Sequence, residues 1–102
     1  MSVTYVIGFH VREGERDRFL GLLSGVLDAM RHEENFVNAT FHEDPADPLH
    51  FLLHETWRDH QDVVDVQLRR PYREDWHAAL PELLERPRDV AVWTPLRSDR
   101  RG

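Results

Sequence analysis

The sequence predicts an α+β fold whose elements follow the order β-α-β-β-α-β. Segments of alternating polarity are separated by segments of helical periodicity, and a strong turn signal divides the two central strands. The length of 102 residues, with 40% hydrophobic and 31% charged residues, is ordinary for one globular domain. We therefore expect a single domain over residues 1–102, with a core over residues 3–96 and a polar tail over residues 97–102.

The first strand and the first helix are predicted from the spacing of apolar residues. Val3, Tyr5, Ile7 and Phe9 alternate with residues that are themselves partly apolar, so both faces of this strand need cover. After Gly14 the period changes, which predicts a helix over residues 15–30. The apolar face of this helix consists of Phe19, Leu22, Leu23, Val26, Leu27 and Met30.

The next two strands are predicted as a hairpin over residues 36–43 and 49–57. Between them lies the sequence DPADP at residues 44–48. It is a strong turn signal, because proline fixes its own φ angle and aspartate caps its own turn.

Two helical segments and a last strand complete the order. Asp59 suits the N-cap of a helix over residues 59–68, and Pro71 suits the first position of another. Pro81 should interrupt that second helix, because proline lacks the amide hydrogen. The last strand is predicted over residues 89–96.

This order is the ferredoxin-like arrangement, in which one four-stranded antiparallel sheet carries its helices on one face. The other face would be partly apolar, with either Val90 and Val92 or Ala91 and Trp93 contributed by the last strand. A large apolar sheet face usually marks an interface, and twofold dimers are the commonest oligomers. We therefore predict a homodimer through the sheet face.

Composition excludes several classes of function. The formal net charge of −6 disfavours nucleic acid as a partner. The absence of cysteine removes disulfides, thiol catalysis and thiolate metal sites, and fits a reducing compartment. The N-terminus has no basic segment followed by a long apolar run, so we expect a cytoplasmic protein without a signal peptide or a membrane span.

Several segments together resemble the antibiotic biosynthesis monooxygenase family. They are residues 34–48 (ENFVNATFHEDPADP), 55–57 (ETW), 70–73 (RPYR), 80–84 (LPELL) and 93–96 (WTPL). The resemblance implies a dimeric α+β barrel with a pocket between sheet and helices in each subunit. It also implies, as in some members, oxidation of quinols or anthrones by O2 with no cofactor.

One position departs from part of that family. Haem-degrading relatives carry an iron-ligating histidine after the tryptophan of the third strand, and the matching position here is Gln67. Glutamine is a poor iron ligand, so haem degradation is disfavoured.

Two candidate site residues share one face of the third strand. Trp57 either forms an aromatic wall for a planar substrate or simply packs in the core. Glu55 either acts as a base whose pKa is raised by burial, or forms an ion pair with an arginine such as Arg69, Arg70 or Arg73.

Further candidates come from the helices and from unusual polar positions. Tyr72 and Trp76 lie one helical turn apart and either line a pocket or form core. Gln67 and Asn38 are amides that could hydrogen-bond a substrate oxygen or be satisfied elsewhere. His54 and His77 are further options, although a lone histidine is more often a satisfied or exposed residue.

A zinc site at the hairpin is a minor alternative. His42, His50 and Glu43 flank the turn, and the two histidines would face each other in one register. We predict no metal.

The leading functional prediction is a cofactor-independent monooxygenase acting on a small aromatic molecule and O2. It assigns catalysis to Trp57, Tyr72, Gln67 and Asn38, and substrate binding to Trp76, Glu55, His54 and His77. The alternatives are a ligand-binding dimer without activity and an isomerase or lyase of a small metabolite, which would use Glu55 with His54 or His77.

Overall fold

The computed structural model describes residues 1–101. It contains the predicted strands and helices in the predicted order. They are β1 (Val3–His10), α1 (Arg16–Met30), β2 (Phe36–Asp44), β3 (Asp47–Trp57), α2 (His60–Asp65), α3 (Glu74–Leu83) and β4 (Asp89–Trp93). Two short 3₁₀ helices, Gln67–Arg69 and Pro71–Arg73, join α2 to α3.

The four strands form one antiparallel sheet in the order β2-β3-β1-β4. In the centre, Tyr5 of β1 lies opposite Glu55 of β3, and Val92 of β4 lies opposite Tyr5 on the other side. This topology confirms the predicted ferredoxin-like α+β fold.

The helices cover one face of the sheet, and an aromatic cluster joins the two layers. Phe19 of α1 is completely buried. Its ring centroid lies 5.1 Å from that of Phe9, 5.0 Å from that of Phe51 and 5.6 Å from that of Trp76. These contacts tie α1 and α3 to the middle of the sheet.

The other sheet face, here called the open face, has no helix on it. The register places Trp93 opposite Thr4 and Leu52 opposite Gly8, on the side away from the helices. Trp93 is 61% exposed. Ala91 and Trp93 are therefore the β4 pair on the open face, while Val90 faces the helix side.

The hairpin register does not support the alternative of a zinc site. His42 lies opposite Leu52, and His50 lies opposite His10, whose ring it stacks on at 4.4 Å between centroids. His50 is held by Asp44, with 3.0 Å between Nδ1 and Oδ2. Within residues 1–101 no group of three or more His, Asp or Glu side chains is placed to hold a metal ion.

Three local predictions are corrected by the structure. The hairpin turn is shorter than residues 44–48, because Asp44 accepts a hydrogen bond from the Ala46 amide and closes it early. Pro81 does not interrupt α3, because the Leu84 amide still bonds to the Leu80 carbonyl at 3.0 Å, and burial of the last turn holds it. β4 ends at Trp93 rather than residue 96: Trp93 pairs with Thr4, which is only one residue from the start of β1.

No helix within residues 1–101 is both long and apolar enough to cross a lipid bilayer.

Candidate functional site

A cavity of about 250 Å³ lies between the sheet and the helices. Most of its wall is aliphatic or aromatic, because the inward faces of β1, β3, α1 and α2 meet there. The apolar lining consists of Ile7, Phe9, Leu23, Val26, Met30, Leu53, Val63, Val64, Leu68, Trp76 and Val90. The polar lining consists of Tyr5, Glu55, His60, Arg73 and Arg88. Few polar groups in an apolar wall are typical of a small-molecule site.

Glu55 is a buried carboxylate on this wall. Its residue is 6% exposed, and its Oε1 accepts a hydrogen bond from the Trp57 indole nitrogen at 3.2 Å. Burial raises the pKa of Glu55 above the ordinary glutamate value, although Trp57, Arg73 and Arg88 oppose the shift. No arginine of residues 1–101 is in direct ion-pair contact with Glu55, although the charges of Arg73 and Arg88 act on it. A carboxylate with a raised pKa suits proton abstraction from a phenol.

Arg73 lies beside this carboxylate and is 6% exposed. Its guanidinium carbon is 5.9 Å from the Trp57 ring centroid and 5.6 Å from the Tyr72 ring centroid, so two aromatic rings support it. Its Nε and Nη2 are buried without a hydrogen-bond partner in the described chain. Both nitrogens have almost no accessible surface, so they face the surrounding protein, where the Tyr72 hydroxyl is also buried without a partner.

Arg88 is the second cation of the wall. It precedes β4 and is half-buried. Burial and the charge of Arg73 lower its pKa, while Glu55 opposes this shift. His77 lies nearby, and burial, with the charges of Arg88 and Arg73, lowers its pKa. His77 is therefore neutral at pH 7, and the two arginines supply the positive charge.

Tyr5 and His60 form a hydrogen-bonded pair in the wall. The Tyr5 hydroxyl lies 2.5 Å from Nδ1 of His60, the first residue of α2. Burial, together with the negative charges of Glu55 and Asp59, raises the pKa of the Tyr5 phenol. The phenol therefore keeps its proton, and its hydroxyl stays hydrogen-bonded to the imidazole.

Two of the eight predicted site residues, Glu55 and Trp76, line the cavity. Trp57 and Tyr72 lie behind this lining. Trp57 is fully buried against Phe36 and donates to Glu55, while the Tyr72 ring supports Arg73.

The other four lie elsewhere. Asn38 pairs with Thr56 and His54 with Val6 on the open face. Gln67 is 2% exposed, donates to Asp62 at 3.1 Å and borders a separate polar cleft. His77 borders a third cleft beside Arg88.

Sequence reasoning missed the site roles of Tyr5, His60, Arg73 and Arg88. The sequence pattern predicts Tyr5 only as one of the alternating apolar residues of the first strand, and Arg73 only as an ion-pair partner. A signal was present, because an antiparallel alignment of the first and third strands brings Tyr5 and Glu55 face to face. No comparable signal in the sequence indicates a site role for His60 or Arg88.

Comparisons with known proteins agree with this architecture. A family model described as antibiotic biosynthesis monooxygenase matches residues 2–79. The uncharacterized protein sll1783 of Synechocystis is 24% identical over 83 residues, which are 81% of this chain and 56% of that protein. This chain thus spans little more than half the length of that curated relative.

Two solved structures share the whole fold. Rv0793 of Mycobacterium tuberculosis matches with a TM-score of 0.87 and 24% identity, covering 98% of this chain and 100% of that one. SnoaB of Streptomyces nogalater, described as a cofactor-independent oxygenase, matches with a TM-score of 0.80 and 21% identity, covering 95% of each chain. The family model covers most of the chain, and the topology agrees with it. The chain belongs to the antibiotic biosynthesis monooxygenase family.

Proposed function

We propose that the protein is a cofactor-independent monooxygenase that oxidises a quinol- or anthrone-like aromatic substrate with O2. The observation that carries this proposal is the buried carboxylate of Glu55, set beside two arginines in an apolar cavity. This wall combines a base, positive charge and an apolar surface for an aromatic ring. The likeness to SnoaB, an oxygenase described as cofactor-independent, supports the same reading.

The reaction needs no electron donor other than the substrate. A phenol gives its proton to Glu55, and the electron-rich phenolate then passes electrons to O2. In an anthrone, the ring methylene becomes a carbonyl that contains one oxygen atom of O2. In a quinol, the two hydroxyl carbons become carbonyls and one ring C–H becomes a C–OH that contains that oxygen atom. The other oxygen atom takes two protons and leaves as water, so the four electrons lost by carbon are gained by O2.

The side chains around the cavity would divide the work. Glu55 acts as the general base, because its raised pKa brings it closer to that of a phenol. Arg73 and Arg88 stabilise the developing phenolate in a largely apolar wall. Trp57 and Tyr72 act as positioning residues, since one holds the carboxylate and the other supports the guanidinium of Arg73.

The test is oxygen consumption by metal-stripped protein with a panel of dihydroxynaphthalenes and anthrones. We expect uptake above the spontaneous rate, and a loss of about a hundredfold in kcat for Glu55→Gln, the usual size of a general-base contribution. Glu13→Gln is the matched control, because Glu13 is exposed in the turn before α1. It should leave the rate unchanged.

Other outcomes would count against this function. Uptake equal to the spontaneous rate with every substrate would refute the monooxygenase. Tight binding without uptake would then favour the ligand-binding dimer. Equal losses in Glu55→Gln and Glu13→Gln would remove Glu55 from the base role.

We also propose that a second copy of the chain covers the open face. This face exposes Trp93 and Leu52, and no helix or strand of residues 1–101 lies over it. The C-terminal residues 95–100 border only the part around Thr4 and His54. Leu52→Glu places a charge in the middle of the face and should convert the dimer to a monomer in sedimentation velocity. Ala78→Glu, on the exposed side of α3, is the matched control and should remain dimeric. A wild-type monomer, or an unaffected Leu52→Glu dimer, would contradict this assembly.

A further inference from the structure

The charges around the cavity do not balance. Arg73 and Arg88 contribute two positive charges, and Glu55 contributes at most one negative charge. Neither arginine forms an ion pair with an acidic residue of the described chain. Buried charges are normally paired, because an unpaired charge loses its hydration without compensation. Among the residues that line the cavity, positive charges therefore outnumber negative charges by one.

The part of Arg73 that faces the cavity limits how a compensating negative charge can be bound. Nε and Nη2 have almost no accessible surface and therefore do not reach the cavity. Arg73 nevertheless lines the cavity, and a guanidinium donates charge-assisted hydrogen bonds to the oxygens of a planar anion. The rings of Trp57 and Tyr72 lie 5.9 Å and 5.6 Å from its guanidinium carbon and support it.

We infer that the ligand is a one- or two-ring aromatic carboxylate, whose carboxylate is bound by the guanidinium groups of Arg73 and Arg88 on the cavity wall. A monoanion neutralises the cavity, whereas a phosphate dianion would leave it with excess negative charge. As a statement about the substrate, this inference rests on the proposed function, because it specifies that the quinol to be oxidised carries a carboxylate.

The cavity volume limits the size of the aromatic part. A dry cavity of about 150 Å³ is enough to bind benzene. The cavity here is about 250 Å³. The larger volume leaves room for a second fused ring. It therefore favours a naphthalene-sized ligand over a three-ring anthrone as the molecule that the cavity encloses completely.

The same charge balance persists through the proposed chemistry. Proton transfer from the phenol to Glu55 moves a negative charge from the protein to the substrate but does not change the total. The carboxylate thus neutralises the site before and after this step. A substrate without it would leave one uncompensated cation at both stages.

The test compares two inert ligands that differ only in charge, 2-naphthoate and 2-naphthamide. Their dissociation constants are measured by calorimetry, so no turnover is needed. We expect the wild-type protein to bind the carboxylate about tenfold or more tightly than the amide, as charge-assisted hydrogen bonds are stronger than neutral ones. Arg73→Gln and Arg88→Gln should each reduce this preference. Arg69→Gln, which changes an exposed arginine, should keep it.

Arg73→Lys separates geometry from charge and also guards against misfolding of the glutamine variant. Lysine keeps the charge but lacks the planar guanidinium, so we expect a preference between those of the wild type and Arg73→Gln. Circular dichroism checks that each variant is folded. Equal binding of the two ligands by the wild type, or full preference in both glutamine variants, would overturn the inference.

Oxygen uptake distinguishes this inference from the proposed function. A carboxylate preference without uptake from any quinol would leave the anion site standing and remove the monooxygenase. The opposite result has two parts. Oxygen uptake would be equal with 1,4-dihydroxynaphthalene and with its 2-carboxylate, and 2-naphthoate would bind no more tightly than 2-naphthamide. That result would retain the monooxygenase and remove the anion site.

Discussion

Replacing Arg73 by methionine should stabilise the ligand-free protein, even though it removes a residue of the site. The guanidinium is buried with two nitrogens unpartnered in the described chain. Methionine keeps much of the length and apolar body of the side chain and removes the unpaired charge. Buried charged groups can often be replaced by apolar residues of similar volume with a gain in stability.

The size of the effect follows from two opposing contributions. Each buried donor without a partner costs about 1–3 kcal/mol, so the two nitrogens of Arg73 cost about 2–6 kcal/mol. The cation–π contacts with Trp57 and Tyr72 return about 0.5–2 kcal/mol each. We therefore expect Arg73→Met to raise the free energy of unfolding by about 1–2 kcal/mol. In a domain of this size, each kcal/mol corresponds to about 4–8 °C in Tm.

Urea unfolding of the wild type, Arg73→Met and Arg69→Met measures this difference. Arg69 is exposed, so its variant should stay within about 0.5 kcal/mol of the wild type. Saturating 2-naphthoate should reverse the order of wild type and Arg73→Met, because ligand binding stabilises only the protein that binds it well. An Arg73→Met protein that is about 1 kcal/mol or more less stable than the wild type without ligand would refute the reasoning.

Three further predictions concern stability. Burial raises the pKa of Glu55, so the folded protein binds the proton of the Glu55 carboxyl group more tightly than the unfolded chain does. The stability that this proton contributes is therefore complete below the ordinary glutamate pKa, and it is lost as the pH rises through the raised pKa. Glu55→Gln should therefore gain stability relative to the wild type between pH 4 and pH 8 in parallel urea titrations, and a constant difference would contradict this. Asp59→Ala should cost about 1 kcal/mol by the same assay, because Asp59 caps α2 through the Asp62 amide at 3.1 Å, whereas an unchanged midpoint would make the cap irrelevant. Phe19→Ala should lower the free energy of unfolding by about 3–5 kcal/mol in thermal unfolding. A loss below about 2 kcal/mol would mean that neighbouring side chains fill the space left by the phenyl ring.

Local chemistry made the architecture predictable. Alternation in β1 and the aspartates of the hairpin turn act over a few residues, so their effect can be read directly from the chain. The error at Pro81 has a tertiary cause. A proline near the end of a helix removes few hydrogen bonds, and burial of Leu83 outweighs that loss.

The candidate site was less predictable because it depends on register and on long-range contacts. A register shift between Phe36 and Asn38 places Phe36 on the helix side and Asn38 on the open face. A slip of one residue exchanges the two faces of a strand, and nothing in the sequence of β2 marks this one. Likewise, the sequence shows Arg73 as one of several neighbouring arginines, and only the packing distinguishes it by burial.

The shortness of α2 has a consequence for ligand exchange. Three residues of this six-residue helix, His60, Val63 and Val64, form part of the cavity wall. Only Val63 is buried, and Tyr5 reaches the helix by a single side-chain hydrogen bond. A segment with so few contacts opens at a small fraction of the free energy of global unfolding. The rate at which a ligand arrives or leaves would then follow the local opening of α2, so substitutions that strengthen this helix would slow exchange without changing the atoms that hold the ligand.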